Sequence, residues 1–414
     1  MVATGIVCSS LILIMATLGW AGSLSQGYSG LGAVASAQAW DFQEGSCPSN
    51  HDAGSSPRAH RKETMMRFYQ QSHRFYCGVD LHARSMYLCI LDGAGQTLLH
   101  RDYPADPRAF LDAVAPFRDG LVVAVECMFA WYWLADLCAE HHIPFVLGHA
   151  LYMKAIHQGK SKNDRLDAAK IAGLLKGGLL PQGYVYPKAM RATRDLLRRR
   201  SFLVRRRADL LAHLVNTNSQ YNLPPLNKKL VYPGNRGELN LPERFSDPSA
   251  RMLVECDLAV IDALDAQIHT LELHLVRTAR VDDVQAYARL QSIPGVGKIL
   301  GLVLLYEIHD IARFPEAGNF LSYARLVRPG HESAGKVAGY GNKKIGNAHL
   351  RWALGEAACL FLRSSERGKR WQARMTSKHG PGKTLGILAA KLGRAVYHLL
   401  RTKQVFDEKR FFAS

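Results

Sequence analysis

The feature that most constrains the fold of this chain is a set of four carboxylates. Asp80 ends one apolar run and Glu126 ends another, while Asp164 and Asp167 stand three residues apart where a helical pattern begins. Two strands and a helix can gather such side chains around divalent metal ions. Two ions about 4 Å apart can activate a nucleophile and stabilise a leaving oxygen in phosphoryl transfer. The pattern therefore predicts a metal-dependent, DNA-processing enzyme.

The hydrophobic spacing from residue 74 onward predicts strands that alternate with helices. The predicted strands cover 74–80, 85–91, 96–102, 121–126 and 143–148, and the predicted helices cover 107–117, 130–141, 150–158 and 164–177. The order β-β-β-α-β-α-β-α is similar to that of an α/β RNase H-like (RuvC-like) domain. In that fold the first and fourth strands are neighbours, which would bring Asp80 beside Glu126. The i, i+3 spacing places Asp164 and Asp167 on one helix face.

Each acid taken alone also has an ordinary structural explanation. Asp80 can cap a turn, Asp164 can be a helix N-cap, and Asp167 can pair with Lys170 or Arg165. Four acids in this order favour the metal site over four separate structural roles. The cations beside the helical pair either hold phosphates or form a solvated face, and they are Lys160, Lys162 and Arg165.

The charge balance predicts a polyanionic partner. The 414 residues contain 53 Lys and Arg against 35 Asp and Glu, which gives a net charge of +18. Nucleic acid is the simplest partner for such an excess, and a solvated basic surface is the alternative. The eight Cys residues form no Cys-x-x-Cys pair, so their spacing indicates neither a zinc site nor a disulfide framework. A reduced, cytoplasmic setting is therefore expected.

The first 64 residues resemble a signal sequence without having all of its parts. Residues 6–20 are apolar, but no Lys or Arg occurs before Arg58, so the positive segment of a signal peptide is missing. The apolar run is also short and interrupted for a membrane span. We expect 1–64 to be a disordered extension or an overlong start, with translation beginning at Met65 or Met66, and we expect no membrane partner. A real export or anchor segment is the alternative.

The remaining chain is predicted to form three domains. Residues 65–185 would be the RNase H-like catalytic domain, 186–285 a helical or coiled-coil linker, and 286–414 a mainly helical C-terminal domain.

Two long helical patterns are predicted in the linker. Leu196, Leu203 and Leu210 recur every seven residues within 187–218, which indicates a coiled-coil seam or packing within the chain. A second helix over 250–280 would pack antiparallel to it, after a proline-rich loop or hinge at 222–249. Arginines on the first helix are predicted to contact nucleic-acid phosphates. They are Arg198, Arg199, Arg205 and Arg206.

The C-terminal domain contains two glycine-rich motifs. Ser-Ile-Pro-Gly-Val-Gly at 292–297 is similar to a helix-hairpin-helix element, whose backbone N–H groups approach a phosphate, although a plain tight turn fits equally well. Ser333 lies beside glycines and lysines and is a candidate nucleophile, but serine in such a turn more often bonds the local backbone. The cations expected to bind the scissile strand are Lys336, Lys343, Lys344 and Arg351.

These motifs together resemble the DEDD transposases of the IS110 type, which are guided by a bridge RNA. The resemblance covers about 74–400 and leaves 1–64 uncovered. It rests on GVDLHARS at 78–85, VAVECM at 123–128, KNDRLDAAKIA at 162–172, the arginine helix at 194–200, LQSIPGVGK at 290–298 and RPGHESAGK with GNAHLRWAL at 328–354. Six motifs in the same order are much more specific than any one of them.

The resemblance implies the roles of several residues. Asp80, Glu126, Asp164 and Asp167 match the family's metal-binding acids, which take Mg²⁺ or Mn²⁺, and Ser333 matches its catalytic serine. Such enzymes cut DNA through a covalent serine–DNA link. The chain departs from the pattern where Ala334 replaces a common second serine and the following Gly-Lys stretch is shorter.

The resemblance also implies the partners. They would be the DNA of the element ends and of the target, a structured guide RNA, and further copies of the chain in a dimer or tetramer. The predicted function is thus that of an insertion-sequence transposase or recombinase. Two rivals are a Holliday-junction-type metal-dependent nuclease that does not need Ser333, and a non-catalytic nucleic-acid-binding protein.

Overall fold

A computed structural model describes residues 67–156, 163–279, 283–327, 330–333, 336–340 and 345–413 of the chain. The first part is a mixed α/β unit and the rest is mainly helical. This division confirms the coarse fold class expected from the sequence. No helix among these residues is long and apolar enough to cross a membrane.

The α/β unit is built on one five-stranded sheet. Its strands are β1 Phe75–Leu81, β2 Ser85–Asp92, β3 Thr97–Pro104, β4 Leu121–Glu126 and β5 Phe145–Gly148. Their order across the sheet is β3-β2-β1-β4-β5. Strand β2 is antiparallel to β1 and β3, whereas β4 is parallel to β1 and β5. The five predicted strands and the neighbouring positions of the first and fourth are confirmed.

Helices cover both faces of the sheet. They are α1 Pro107–Val114, α2 Trp131–Glu140, α3 Ala150–Ile156 and α4 Asp164–Lys176. Alternate residues of β1 and β4 point to opposite faces. Cys77 and Val123 pack in the core that holds α1 and α2, whereas Tyr76 and Val122 pack in the core that holds α4. This two-sided burial explains why β4 is apolar at each position before Glu126.

Helix α4 approaches β1 so closely that only glycine fits between them. A Cβ atom on Gly78 would lie 2.3 Å from the carbonyl oxygen of Ala168 and 2.4 Å from the backbone nitrogen of Ala172. Both alanines are fully buried. The small residues at these three positions therefore set the height of α4 above the end of β1.

Two long helices follow the α/β unit and run antiparallel, as the sequence predicted. They are α5 Lys188–Gln220 and α7 Pro248–Thr278. Ion pairs join them in antiparallel register, with Arg200 on Glu272 and Arg207 on Asp265, each at 2.5 Å. These two arginines, on the inner side of α5, are therefore paired with carboxylates of α7.

The prediction of a loop over 222–249 was wrong in part. This segment contains helix α6 Pro233–Leu239 and a 3-10 turn, Leu241–Arg244. Its prolines were the misleading signal, because Pro233 and Pro242 each stand in the first turn of a helical element. Proline is well tolerated there, since the N–H that it lacks would have no partner within the helix.

The C-terminal helices share one apolar core around a central buried helix. They are α8 Val284–Gln291, α9 Lys298–Ile308, α10 Ala317–Tyr323, α11 Ala348–Ser364, α12 Glu366–His379, α13 Pro381–Thr402 and α14 Glu408–Ala413. A short antiparallel hairpin lies between α10 and α11, formed by β6 Gly330–Ser333 and β7 Lys336–Tyr340. The predicted glycine turn joins α8 to α9. In it Gly295 has φ +86° and packs on the backbone of Leu360, so this glycine is needed for packing.

The glycine contact beneath α4 can be tested with paired substitutions. Gly78→Ala should lower the free energy of unfolding by roughly 1–3 kcal/mol, because the added methyl group meets helix backbone and not a flexible side chain. Gly173→Ala, on the exposed side of the same helix with open space around it, should raise that free energy by about 1 kcal/mol. Urea unfolding of both variants measures the difference. Equal effects of the two substitutions would contradict the close approach.

Candidate functional site

Two of the predicted acids end neighbouring parallel strands. Val79 of β1 lies opposite Val125 of β4, so Asp80 and Glu126 come next along the two strands and share one face. Alternation places them on the face that α4 covers. Asp80 is mostly buried, with 14% of its side chain exposed. Glu126 is half-buried and pairs through its backbone register with Gly148 of β5.

The other two acids lie in the first turn of α4. The N-cap is Asn163, whose side-chain oxygen accepts a hydrogen bond from the Arg165 N–H at 2.9 Å. The alternative role of Asp164 as the N-cap is therefore wrong, and its carboxylate points elsewhere. Asp167 does form the ion pair considered from the sequence, with Lys170 Nζ 2.9 Å from Asp167 Oδ1.

His82 lies between the strand acid and the helix acid. Its Nε2 atom is 3.4 Å from Asp80 Oδ2 and 3.6 Å from Asp164 Oδ2. Among the described residues, Asp80, His82 and Asp164 form a set whose potential ligand atoms all lie within 4.8 Å of one another. Glu126 and Asp167 are not part of that set. No chemical role was predicted for His82 from the sequence, although its position two residues after Asp80 indicates the same face of the strand.

Burial and the surrounding charges shift the pKa of Asp80. Burial raises the pKa of the Asp80 carboxyl, nearby His82 lowers it in part, and the carboxylates of Asp164 and Asp167 raise it further. An ionised Asp80 is therefore costly in this environment. Oxygen and imidazole donors that converge in this way are a suitable ligand set for a divalent cation, and a cation would offset the charge excess.

The arginines of α5 separate into buried and exposed groups. Glu307 of α9 receives hydrogen bonds from Arg194 Nε at 3.0 Å and from Arg198 Nε at 2.7 Å. The guanidinium of Arg198, one of the predicted nucleic-acid contacts, is therefore held by a protein carboxylate. The predicted contacts Arg199, Arg205 and Arg206 are exposed.

An aromatic side chain accompanies the exposed arginines. Phe202 is 41% exposed, and the guanidinium carbons of Arg199 and Arg206 lie 5.4 Å and 5.3 Å from the centre of its ring. Arg206 also forms a surface ion pair with Asp209 at 3.4 Å, which contributes little to stability. This face of α5 offers positive charge together with a flat apolar ring.

The predicted serine stands at the end of β6. Ser333 pairs in register with Lys336 of β7. Arg351 lies in the first turns of α11, close enough to Arg325 for its charge to add to burial in lowering the pKa of that guanidinium. Four predicted cations lie outside the described residues: Lys160, Lys162, Lys343 and Lys344.

Comparisons with known proteins agree with this architecture. A transposase model of the DEDD IS110 type matches residues 77–222, and the model described as the transposase IS116/IS110/IS902 family matches residues 287–374. Together the two models span more than half of the chain. The chain therefore belongs to the IS110-type family of insertion-sequence transposases.

Individual relatives extend the similarity over most of the chain. The transposase for insertion sequence element IS1111A from Coxiella burnetii is 25% identical over 342 residues, which cover 80% of this chain and 90% of that protein. A putative transposase, y4pF/y4sB, from Sinorhizobium fredii is 24% identical over 298 residues, or 69% of this chain and 74% of the relative. A protein of insertion element IS116 from Streptomyces clavuligerus is 27% identical over 144 residues.

Metal addition should distinguish a ligand set from an ordinary acidic surface. Mg²⁺ or Mn²⁺ at about 100 times its dissociation constant should stabilise the wild-type chain by about 2.7 kcal/mol, seen as a higher melting temperature. Asp80→Asn should lose that response. It should also melt higher than the wild type without metal at pH 7, because a carboxyl with a raised pKa loses stabilising energy as the pH rises through that pKa.

Asp112→Asn is the matched control, since this exposed carboxylate lies on α1 away from the site. It should keep the full response to metal. An Asp80→Asn protein that responds to metal as strongly as the wild type would contradict the assignment.

Proposed function

We propose that the chain is an insertion-sequence transposase that cuts and rejoins DNA by metal-dependent phosphoryl transfer, with Ser333 as the nucleophile and a structured RNA as the guide. The observation that carries this proposal is the convergence of Asp80, His82 and Asp164 at one edge of the sheet, in a chain that belongs to a transposase family. Glu126, on the adjacent strand, and Asp167, one turn into α4, complete the acidic edge.

The topology supports an RNase H-like (RuvC-like) catalytic domain over 65–185. Three antiparallel strands continue into two parallel ones in the order β3-β2-β1-β4-β5, with helices on both faces. The long antiparallel helices fit a linker domain over 186–285. The helical core with the Ser333 hairpin fits a C-terminal transposase domain over 286–414. In this domain the turn between α8 and α9 would act as a helix-hairpin-helix element, whose backbone N–H groups approach a phosphate.

The acids and His82 would hold Mg²⁺ or Mn²⁺. A bound divalent cation would supply charge stabilisation for the reacting phosphate oxygens. The protein residues set the geometry, because Gly78 fixes α4 on β1 and thereby holds Asp164 next to His82. Asn163 caps the helix, which leaves the Asp164 carboxylate to face the site.

Ser333 would carry the DNA strand between cutting and joining. Its hydroxyl oxygen would form a bond to the backbone phosphorus while the bond from phosphorus to one deoxyribose oxygen breaks. The serine proton would pass to a base, and the leaving oxygen would take up a proton. The serine–DNA ester keeps the energy of the phosphodiester bond, so attack by a hydroxyl of a second strand would rejoin DNA and release the serine.

The exposed face of α5 would hold nucleic acid. Arg199, Arg205 and Arg206 supply positive charge for phosphates, and the half-exposed Phe202 ring can stack on an unpaired base. The net charge of +18 supports DNA and RNA as the partners. Assembly of two or four copies would bring two DNA duplexes together.

The serine mechanism can be tested by capturing the covalent intermediate. The full chain is incubated with RNA transcribed from the element, metal and labelled DNA of an element end, and the protein is then denatured and separated. The wild type should retain the label and yield a peptide with a nucleotide on Ser333. Ser333→Ala should retain less than a hundredth of that label, whereas Ser364→Ala, on an exposed surface of α11, should match the wild type.

The rival functions give other outcomes in the same assay. Strand cutting that persists in Ser333→Ala but stops in Asp80→Ala would favour a Holliday-junction-type nuclease. DNA binding without cutting by any variant, on DNA with intact element ends, would favour a binding protein. Omitting the RNA tests guidance, because a guided enzyme should then lose adduct formation.

The basic face has a separate, quantitative test. Arg199→Gln with Arg205→Gln should weaken nucleic-acid binding and lower the slope of log affinity against log salt by about two, since each lost phosphate contact removes about one unit. Arg108→Gln on the surface of α1 is the matched control for a lost surface charge. Binding curves between 50 and 200 mM salt measure the slope (a range in which such slopes are large). An unchanged slope in the double variant would remove α5 from the interface.

A further inference from the structure

The carboxylate of Glu307 is buried where three helices meet. Only 2% of this α9 residue is exposed. Arg194 and Arg198 of α5 donate to it, and Asn347 donates its side-chain Nδ2–H to Glu307 Oε2 at 2.8 Å. Burial alone would raise the pKa of the Glu307 carboxyl, but the hydrogen bond from Arg198 and the charges of both arginines lower it to about 2. Glu307 is therefore ionised and fully partnered at neutral pH.

Asn347 closes the base of the segment that carries Ser333. Its backbone N–H donates to the carbonyl oxygen of Tyr323 at 2.6 Å, and its Nδ2 lies 3.4 Å from the Tyr323 hydroxyl. Tyr323 ends α10 and Asn347 caps α11, so the chain leaves and returns at one point. Gly346 has φ +97°, and a Cβ there would lie 2.5 Å from the Tyr323 carbonyl oxygen. The two ends of the segment are therefore tightly joined.

Polar contacts continue from this point to the α/β unit. The Tyr186 hydroxyl donates to the Glu307 backbone carbonyl at 2.8 Å, and Arg191 Nε donates to the Tyr186 carbonyl at 2.8 Å. Arg191 also donates to Asp136 Oδ1 of α2 at 2.7 Å. Arg191 is itself buried. A single chain of hydrogen bonds thus connects α2, α5, α9 and the start of α11.

We propose that Glu307 is a positioning residue for strand transfer, which acts through Asn347 to hold the closed base of the segment that carries Ser333 against α5. The proposal rests on the nucleophilic role of Ser333. Glu307 does not touch the reacting atoms. It fixes the point from which the hairpin projects, so that Ser333 meets the DNA in one orientation. Small displacements of a nucleophile are costly because rate depends steeply on the approach geometry.

Two sets of variants separate positioning from folding. Asn347→Ser removes the amide donor but keeps a side-chain oxygen that can cap α11, where Asn347 Oδ1 now accepts from the His349 and Leu350 N–H groups. The exchange of Glu307→Gln with Asn347→Asp reverses the bond, because the new amide can donate to the new carboxylate. It also leaves one negative charge for Arg194 and Arg198. Asp247→Ser changes the cap of α7 and is the matched control.

The measurements are Ser333 adduct formation, DNA affinity and backbone hydrogen exchange in the full chain. Asn347→Ser should form adduct at least tenfold more slowly than the wild type, with DNA affinity within twofold and faster exchange in the first turn of α11. Glu307→Gln alone should show the larger loss, and the exchanged pair should recover at least a third of the wild-type rate. Asp247→Ser should behave as the wild type in adduct formation.

Two results would overturn the positioning role. One is a wild-type adduct rate in Asn347→Ser, and the other is an exchanged pair that is no faster than Glu307→Gln. If the wild type itself forms no Ser333 adduct, the serine mechanism fails as a separate conclusion. In that case hydrogen exchange by itself tests whether the bond from Asn347 to Glu307 anchors α11. Unchanged exchange at 347–351 in Asn347→Ser would contradict the anchoring.

Discussion

The contact between Gly78 and α4 is the constraint on which the candidate site depends. The backbone of Ala168 and Ala172 occupies the space that any side chain at position 78 would need. Because α4 lies this low over β1, the carboxylate of Asp164 comes within reach of His82 and the mostly buried Asp80. Burial raises the pKa of the Asp80 carboxyl, and the nearby carboxylates of Asp164 and Asp167 raise it further, so the ionised form of Asp80 is electrostatically costly. Such a cost is typical of functional sites and atypical of a structural ion pair, which supports the proposed metal site.

Ion pairs between the arginines of α5 and carboxylates of α7 and α9 hold the helical part of the chain together. The strongly basic helix α5 could not pack against α7 and α9 unless its inward arginines met carboxylates, and Glu272, Asp265 and Glu307 provide them. The outward arginines stay exposed to solvent. One helix thus contributes to the core and presents a basic surface. The buried part of this arrangement joins the start of α11 to the α/β unit, so the proposed nucleic-acid surface and the anchor of the segment that carries Ser333 lie on one helix.

The sequence predicted the sheet well because strand periodicity and apolar burial are local properties. All five strands of the α/β unit were found, and the order of strands placed Asp80 beside Glu126. Contacts that depend on side-chain direction were harder to predict. In the structure Asn163, and not Asp164, caps α4, and His82 lies within the acid cluster. The Arg198 guanidinium donates to Glu307 of the protein itself. The segment 222–249 was misjudged because proline breaks a helix interior but suits a first turn. None of these outcomes follows from spacing alone.

Direct location of the metal tests the central claim of this account most sharply. Crystals of the full chain soaked in Mn²⁺ should show anomalous scattering next to the carboxylates of Asp80 and Asp164, within about 2.0–2.6 Å of at least one oxygen of each. The peak should vanish in Asp80→Asn crystals grown in the same form. Mn²⁺ bound elsewhere, or a peak that survives this substitution, would contradict the assignment of the acidic edge as the catalytic metal site.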